Sequence, residues 1–230
     1  AVASANITAK PITLSGITAS NKIYDSTRDG AISTAVATFA GKVAGDDLTV
    51  SSSGLFSDKN AANGKTVILT NVLGGADLGN YTISQQGTTT ADITAKAITL
   101  SGITASNKVY DGTVAATVST AGAIFNGKVA GDNLTVSSSG VFSDKNVASG
   151  KTVTLTNAFG GGDLGNYTIT DQGTTSANIT AKPITLSGIT AANKVYDGTA
   201  AAAVSTAGAL FNGMVAGDDL TVSSTGLFNN

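Results

Sequence analysis

The stretch Lys151–Asn157 reads KTVTLTN and decides the fold class of this chain. Val153 and Leu155 alternate with threonines, so in an extended strand the two aliphatic side chains lie on one face and the threonines on the other. Threonine is β-branched and suits the solvated face of a pleated sheet. The alternation therefore predicts a half-buried β-strand.

Other short stretches of β character surround this one, and turn signals separate them. Helical periodicity is absent, and Asp111-Gly112 is a strong turn signal. The predicted strands of the same region include 98–100, 114–118, 134–137, 167–170 and 177–180. Short strands that alternate with turns at this rhythm are typical of an all-β sandwich or barrel.

The chain is a tandem repeat with a period of 86 residues. The segment ITLSGIT begins at Ile12, Ile98 and Ile184, and the aligned stretches 11–96 and 97–182 differ at 23 of 86 positions. The resulting division is the end of a preceding repeat at 1–10, repeat 1 at 11–96, repeat 2 at 97–182 and an incomplete repeat 3 at 183–230. We expect each repeat to close its own aliphatic core and to pass directly into the next one.

A second motif, D-x-G-x-Y, precedes a predicted strand in both complete repeats. It resembles the tyrosine corner of immunoglobulin-like sandwiches, in which the tyrosine hydroxyl bonds to nearby backbone. Its residues are Asp77, Gly79 and Tyr81 in repeat 1, and Asp163, Gly165 and Tyr167 in repeat 2. The motif predicts tandem Ig-like β-sandwich modules in a rod. The alternative is a β-grasp-like module with one short helix near 128–134.

A third motif, N-K-[IV]-Y-D-[GS]-T, occurs once in each repeat and contains Tyr24, Tyr110 and Tyr196. A-G-D-[DN]-L-T-V follows it in every repeat, and G-N-Y-T-I follows in the two complete ones. In these motifs the chain resembles the YDG-type repeats of very large bacterial surface and two-partner-secreted adhesins. The resemblance implies an extracellular structural repeat without catalytic residues. Ser26 replaces the glycine in repeat 1, which predicts a different turn there.

The composition argues against an enzyme. The sequence contains no Cys, His or Glu. The residues needed for thiol chemistry or for a Ser-His-Asp triad are therefore missing. Adjacent carboxylates occur at Asp46-Asp47 and Asp218-Asp219, but neighbours on a strand point to opposite faces. We therefore expect these pairs to lie in solvated turns, and we expect no catalytic residue and no obligatory cofactor.

Calcium is the one metal for which the sequence offers candidate ligands. Extracellular modules bind this hard cation weakly through several oxygen ligands. The candidate ligands in repeat 2 are Asp111, Asp132, Asp144 and Asp163, although the sequence contains no D-x-D-x-D cluster. A site at a joint between repeats would fit this pattern best, and a calcium titration of the melting temperature would test it.

Net charge and hydropathy limit the classes of partner that the chain is expected to bind. The net charge is −2 and the basic residues are spread singly, which argues against nucleic acid, and no apolar run approaches the length of a membrane span. The expected partners are neighbouring repeats of the same chain. The predicted function is a stalk or spacer in a secreted adhesin or biofilm matrix fibre, which projects a binding domain from the bacterial cell surface. The alternative is a repeat that itself binds polysaccharide or self-associates into filaments by strand exchange.

Overall fold

The structure is a computed structural model, and it describes residues 2–229. Within these residues 26 strands and two 3₁₀ helices are present, and no α-helix is formed. The predicted all-β class is confirmed. Among the same residues, no helix is long and apolar enough to cross a membrane.

Repeat 1 contains the first ten strands and one 3₁₀ helix, Leu78–Asn80. The strands are β1 (Lys10–Ser15), β2 (Thr18–Ala19), β3 (Lys22–Ile23), β4 (Asp29–Gly30), β5 (Ile32–Ser33), β6 (Thr38–Ala40), β7 (Thr49–Phe56), β8 (Ala62–Gly74), β9 (Tyr81–Ser84) and β10 (Thr88–Thr94).

Repeat 2 repeats the same order of elements, with its 3₁₀ helix at Leu164–Asn166. Its strands are β11 (Lys96–Ser101), β12 (Thr104–Ala105), β13 (Lys108–Val109), β14 (Ala115–Ala116), β15 (Val118–Ser119), β16 (Ile124–Asn126), β17 (Thr135–Phe142), β18 (Ala148–Gly160), β19 (Tyr167–Thr170) and β20 (Thr174–Thr180). The strands of repeat 3 are β21 (Thr185–Ser187), β22 (Thr190–Ala191), β23 (Ala201–Ala202), β24 (Val204–Ser205), β25 (Leu210–Asn212) and β26 (Gly226–Leu227).

Each complete repeat forms a five-stranded sheet and a three-stranded sheet. In repeat 1 the larger sheet has the order β3-β10-β8-β7-β4, and the smaller one has the order β6-β1-β9. Most neighbours are antiparallel, but β3 pairs with β10 and β1 pairs with β9 in parallel. The Ig-like sandwich is not confirmed and stays a prediction. Immunoglobulin sheets are antiparallel, whereas each of these two sheets contains a parallel pair.

The long hairpin of each repeat follows from its period-2 pattern. In β18 the side chains of Val153 and Leu155 are buried while the threonines between them are exposed, as the sequence predicts. Val67 and Leu69 occupy the same positions in β8 and are buried in the same way. These strands therefore give each five-stranded sheet one apolar face and one hydroxyl-bearing face.

The compact units of the structure do not coincide with the sequence repeats. The first unit consists of the chain up to Leu100, Phe125–Thr135 and Phe159–Thr170. The second unit takes Ser101–Ile124, Val136–Ala158 and the chain from Asp171 onward. Repeat 2 is thus divided between both units, although its strands and sheets recur with the period of 86 residues.

The hydrophobic core of the first unit shows the consequence of this division. Leu14, Phe56 and Ile93 of repeat 1 belong to the same buried cluster as Ile98 and Tyr167 of repeat 2. The buried cluster of repeat 1 is therefore continuous with residues of repeat 2. The core closes across the repeat boundary because the first strand of repeat 2 supplies apolar side chains to it.

The segment 128–134 contains no helix, so the short helix of the β-grasp-like alternative is wrong. This segment consists of turns and irregular chain, and it connects β16 to β17. A glycine at position 131, in the left-handed region with φ of 88°, breaks any helical turn there.

Ser26 adopts the same left-handed turn as the glycines that it replaces. Its φ is 68°, close to the 79° of Gly112 and the 77° of Gly198, so the expectation of a different turn is wrong. A non-glycine residue in this region is strained by about 1–2 kcal/mol.

We therefore expect Ser26→Gly to raise the free energy of unfolding by about 1 kcal/mol, because it relieves this strain. Urea unfolding measures the change. The matched reverse substitution, Gly198→Ser, is expected to be destabilising or neutral. A loss of stability in Ser26→Gly would contradict the strain argument.

Candidate functional site

The Tyr-Asp-Gly segment of each repeat is held by a lysine clasp. In repeat 2 the Lys108 Nζ donates to Asp111 Oδ1 at 2.7 Å, and to the carbonyl and hydroxyl oxygens of Thr113 at 2.8 and 3.0 Å. The same ammonium lies 5.6 Å from the centroid of the Phe142 ring. The clasp recurs at Lys22 and Lys194, so all three repeats share one turn geometry.

The clasp and one backbone hydrogen bond fix where the tyrosine lies. The Tyr24 amide donates to the Thr94 carbonyl at 2.9 Å, and the Tyr110 amide donates to the Thr180 carbonyl at 2.8 Å. In both cases the tyrosine is tied to the end of its own repeat, where the next repeat begins.

The tyrosine of one repeat is bound by the next repeat. Tyr24 is 1% exposed, and its hydroxyl donates to Asp132 Oδ2 at 2.9 Å. The hydroxyl of Tyr167 donates to the same oxygen at 2.5 Å and accepts the Val129 N–H at 3.0 Å. We call Val129, Asp132 and Tyr167 the receptor of repeat 2. All of these residues lie within the first compact unit.

Ring packing adds an apolar contribution to this joint. The rings of Tyr24 and Tyr167 meet edge to face, with centroids 5.5 Å apart and planes at 77°. Pairs of this geometry contribute about 0.5–1.5 kcal/mol beyond the burial of their area. Both rings belong to the core that runs across the repeat boundary.

Polar contacts from repeat 1 surround the tyrosine pair. Lys59 Nζ lies 3.7 Å from Asp132 Oδ1 and 3.6 Å from Asp163 Oδ1. Asn166 is buried, and its side-chain oxygen accepts the Ala61 N–H at 2.8 Å. The joint therefore combines one buried carboxylate with a lysine, two hydroxyl donors and an amide.

The ionisation of the joint favours its hydrogen bonds at neutral pH. Burial alone would raise the pKa of Asp132, but the hydrogen bonds from Tyr167 and Tyr24 and the charge of Lys59 bring that pKa below its ordinary value. Burial, and next the hydrogen bond to Asp132, raise the pKa of Tyr167 to about 12. The carboxylate accepts and both phenols donate over a wide range of pH.

Parts of this arrangement recur in repeats 3 and 1. In the second unit the Tyr110 hydroxyl donates to Asp218 Oδ1 at 2.7 Å, and Lys145 lies 3.8 Å from that oxygen. In repeat 1 the Tyr81 hydroxyl donates to Asp46 and accepts the Val43 N–H at 3.0 Å. Asp132 and Asp218 each accept the YDG tyrosine of the repeat before, whereas Asp46 accepts the Tyr81 hydroxyl of its own repeat.

Two sequence predictions about these residues need correction. The hydroxyls of Tyr81 and Tyr167 do bond to backbone, but their partners Val43 and Val129 lie 38 residues upstream, where a tyrosine corner predicts a local partner. Asp46 and Asp218 were expected in solvated turns, but each is half-buried and accepts a tyrosine hydroxyl, and their counterpart Asp132 is 7% exposed. Burial is possible because two hydroxyl groups and a lysine satisfy the carboxylate.

The remaining residues of the D-x-G-x-Y motif support the receptor. Asp163 Oδ2 accepts the Asn133 N–H at 2.9 Å, and Asp77 Oδ2 accepts the Asp47 N–H at 2.7 Å. Gly79 and Gly165 lie in the two 3₁₀ helices. The YDG tyrosine of repeat 3, Tyr196, is 93% exposed.

The four candidate calcium ligands are not brought together. Asp111 pairs with Lys108 and Asp144 pairs with Lys151, each at 2.7 Å, while Asp132 and Asp163 both face Lys59. Within residues 2–229 no group of three or more acidic or histidine side chains has the arrangement of a metal site. Calcium binding stays a prediction of the sequence alone.

Sequence reasoning missed Lys59 and Asn166. The recurrence of Asp46, Asp132 and Asp218 at one spacing was the available signal, but all except 23 of the 86 aligned positions of repeats 1 and 2 recur in the same way, so this signal does not single out the receptor.

We expect acid to weaken the fold between about pH 4 and pH 2. Hydrogen bonds from Lys108 and then Thr113 lower the pKa of Asp111 to about 2, against an ordinary value of 3.8. A carboxyl group with a lowered folded-state pKa stabilises the fold above its unfolded-state pKa, and this contribution is lost as pH falls through the folded-state value.

The melting temperature measured against pH tests this expectation. The melting temperature of the Asp111→Asn variant should fall less steeply than that of the wild type between about pH 4 and pH 2, because the variant has lost one of the titrating groups. Parallel curves for the two proteins would contradict the assignment.

Comparison with known families gives one match that covers almost the whole chain. The model of a family described as the YDG domain matches residues 8–91, 94–176 and 180–230. No curated protein and no solved structure matches the chain.

Proposed function

This chain belongs to the YDG domain family, and we propose that its repeats are non-catalytic spacer modules of an extracellular bacterial adhesin or biofilm matrix fibre. In this role they project a binding domain from the cell surface. The observation that supports the proposal best is the joint, in which the YDG tyrosine of one repeat donates a buried hydrogen bond to the next repeat.

A spacer must resist bending where its modules meet. Rotation at this joint would separate Tyr24 from Asp132 and expose a core to which both repeats contribute. Leaving a buried carboxylate without its donors costs about 1–3 kcal/mol or more, because its charge would be desolvated and unpaired. Such a joint suits a structural module better than a hinge.

The near-identity of the repeats also favours a spacer. Repeats 1 and 2 differ at 23 of 86 positions without an insertion or deletion, and most changes are between small or aliphatic residues. A binding repeat gains affinity from a few aromatic or Arg anchors. Arg28 is the single arginine of the sequence, and it donates to the Phe56 carbonyl of its own repeat at 2.6 Å.

Polysaccharide binding by the repeats is the competing proposal. Sugar rings stack on exposed aromatic faces, but Tyr24, Tyr81 and Tyr167 are buried in the receptors of repeats 1 and 2. A glycan array probed with the full chain tests this alternative directly. Specific binding that survives Tyr196→Ala would favour it over the spacer role.

The spacer role is tested by small-angle X-ray scattering on two proteins. One is the full chain, and the other is the same chain with one additional copy of residues 11–96 inserted in register. The maximum dimension should increase by about 30–40 Å per added repeat, which is the length of a strand of nine or more residues. An unchanged maximum dimension would overturn the proposal.

A further inference from the structure

The five-stranded sheet of repeat 1 has one edge that is only partly covered. Its outermost strand, β4, has two residues and pairs with Leu55 and Gly54 of the eight-residue strand β7. Beyond this pair the chain leaves β7, because the Ala31 carbonyl accepts the Ser20 N–H at 2.9 Å. In the described part of the chain, no strand pairs with this side of β7 over Thr49–Ser53, which we call the open edge of repeat 1.

One hydrogen bond shows which backbone groups lie along the open edge. The Phe56 N–H donates to the Arg28 carbonyl, on the side of β4, at 2.7 Å. Backbone groups alternate between the two sides of a strand, so residues two, four and six positions earlier face the same side. Val50 and Ser52 therefore direct their N–H and C=O groups to the open edge. Such a row of backbone groups is a template for pairing with another strand.

Repeat 2 has the same edge, with the same five residues, TVSSS, at Thr135–Ser139. The short strand β14 pairs with Val141 and Gly140 of β17, and the Phe142 N–H donates to the Val114 carbonyl at 2.7 Å. Repeat 2 has a repeat on either side in the sequence, and still no described strand pairs with its open edge.

The open edge lacks the features that keep sheet edges from pairing with other chains. Natural proteins protect such edges with charged side chains, proline or a β-bulge. Thr49–Ser53 contains no charged residue and no proline, and it pairs with β8 without a shift of register. The side chains of Thr49, Ser51 and Ser53 are exposed on the outer face of the sheet.

The opposite edge of the same sheet is protected by side chains. Strand β3 reaches only the last two residues of β10. Beside the rest of β10, Gln86 Nε2 donates to the Thr88 carbonyl at 3.1 Å, and the Asp92 N–H donates to Asn21 Oδ1 at 2.7 Å. Asp92 also places a charge at that edge. The sheet is therefore available for pairing on the β7 side and blocked on the β10 side.

We propose that the open edges are homotypic interaction surfaces, at which the β7 or β17 strand of a second copy of this chain adds in antiparallel orientation. The register follows from β4, which occupies the edge of β7 from Gly54 onward. Ser51 of one copy then lies opposite Ser51 of the other, and Val50 of each copy exchanges both backbone hydrogen bonds with Ser52 of the other. The contact is isologous, because both copies use the same patch.

A second copy fits the chemistry of the open edge. In this register the outer side chains that meet are hydroxyls, Thr49 against Ser53 and Ser51 against its own counterpart, and cross-strand pairs of this kind form hydrogen bonds. The two uncharged strands bring no like charges together, and the added strand continues the existing β10-β8-β7 ladder. Five residues per copy are far fewer than the roughly 20–30 of a stable interface, so the association is weak and depends on concentration.

Disulfide cross-linking of the full chain tests the proposal, because the wild-type sequence contains no cysteine. Ser51→Cys places one thiol opposite its counterpart, in a pair of the kind that has Cα atoms about 4.5 Å apart, which a disulfide can span. Under mild oxidation this variant should form a covalent dimer on a non-reducing gel.

Thr66→Cys is the matched control for cross-linking. Thr66 is exposed on the same face of the same sheet, but it lies in β8, which has a strand on each side. Dimer formation by Ser51→Cys should be faster by about tenfold or more, because specific pairing holds the two thiols at bonding distance. Equal rates for the two variants would mean random collision and would overturn the proposal.

Sedimentation velocity at roughly 10 μM to 1 mM tests the same contact without a covalent bond. The wild type should show a mass that rises with concentration. The double variant Ser51→Lys, Ser137→Lys sets like charges opposite each other and should stay monomeric. The double variant Thr66→Lys, Thr152→Lys adds the same charge to β8 and β18, away from the open edges, and should associate as the wild type does.

Either of two sedimentation results would also overturn the proposal. The wild type could stay monomeric over the whole range, or the variant with lysines at the open edges could associate as strongly as the wild type. This proposal does not rest on the spacer role, because it makes no use of the distance that the repeats span. The scattering test and the cross-linking test can therefore fail separately.

Discussion

Tyr24→Ala is expected to lower the free energy of unfolding of the first compact unit by about 3–5 kcal/mol, the range for removal of a buried aromatic side chain. The reason is that Tyr24 is 1% exposed, packs against Tyr167 and donates to the buried Asp132. Urea unfolding measures the loss, and native-state hydrogen exchange assigns it to the amides of that unit.

Tyr196→Ala is the matched control, because it removes the same residue type from the same motif in repeat 3. Tyr196 is exposed, so its removal should change stability by less than about 0.5 kcal/mol. Tyr24→Phe keeps the ring and should cost only the hydrogen bond to a charged group, about 1.5–3 kcal/mol. Equal losses for Tyr24→Ala and Tyr196→Ala would show that the joint contributes nothing.

Asp132→Ala is expected to lower the free energy of unfolding by about 3–5 kcal/mol, the usual loss when one partner is removed from a buried charged pair. The substitution leaves the hydroxyls of Tyr24 and Tyr167 without their shared acceptor and removes one of the two carboxylates near Lys59. The same unfolding experiment applies. Asp132→Asn keeps the volume and one acceptor oxygen, and it should cost less.

Asp46→Ala provides the control for this second prediction. Asp46 occupies the same position of its repeat and accepts a hydrogen bond from Tyr81, but it is half-buried. Its removal should cost about 0.5–1.5 kcal/mol, the usual net value of one hydrogen bond. If Asp46→Ala and Asp132→Ala were equally destabilising, the receptor would act within its own repeat and the joint would not matter.

Local structure could be predicted from single segments of this sequence. The pattern at Val153 and Leu155 predicts a strand with one buried face, and the structure has that strand and that face. The turn at Asp111-Gly112 lies where the sequence predicts it. These features follow from period-2 alternation and from glycine in left-handed backbone, which involve residues a few positions apart.

The site could be predicted only in part. Tyr24, Tyr110 and the tyrosine of the D-x-G-x-Y motif were identified as structural residues, but the partner of Tyr24 lies 108 residues further along the chain. Lys59 lies in none of the motifs quoted for the sequence, and Asn166 lies in G-N-Y-T-I without being singled out by it. Their importance comes from the residues that tertiary structure places beside them.

The sequence by itself determined the period, the all-β class and the positions of the strands and turns, because each of these depends on local patterns. Only the tertiary structure decided which copy of a motif binds which. By sequence, Asp46 and Asp132 are equally suitable partners for Tyr24, since both belong to the same repeated A-G-D segment. The folded chain breaks this equivalence, because the end of β10 places Tyr24 against the repeat that follows and so extends the core across the boundary.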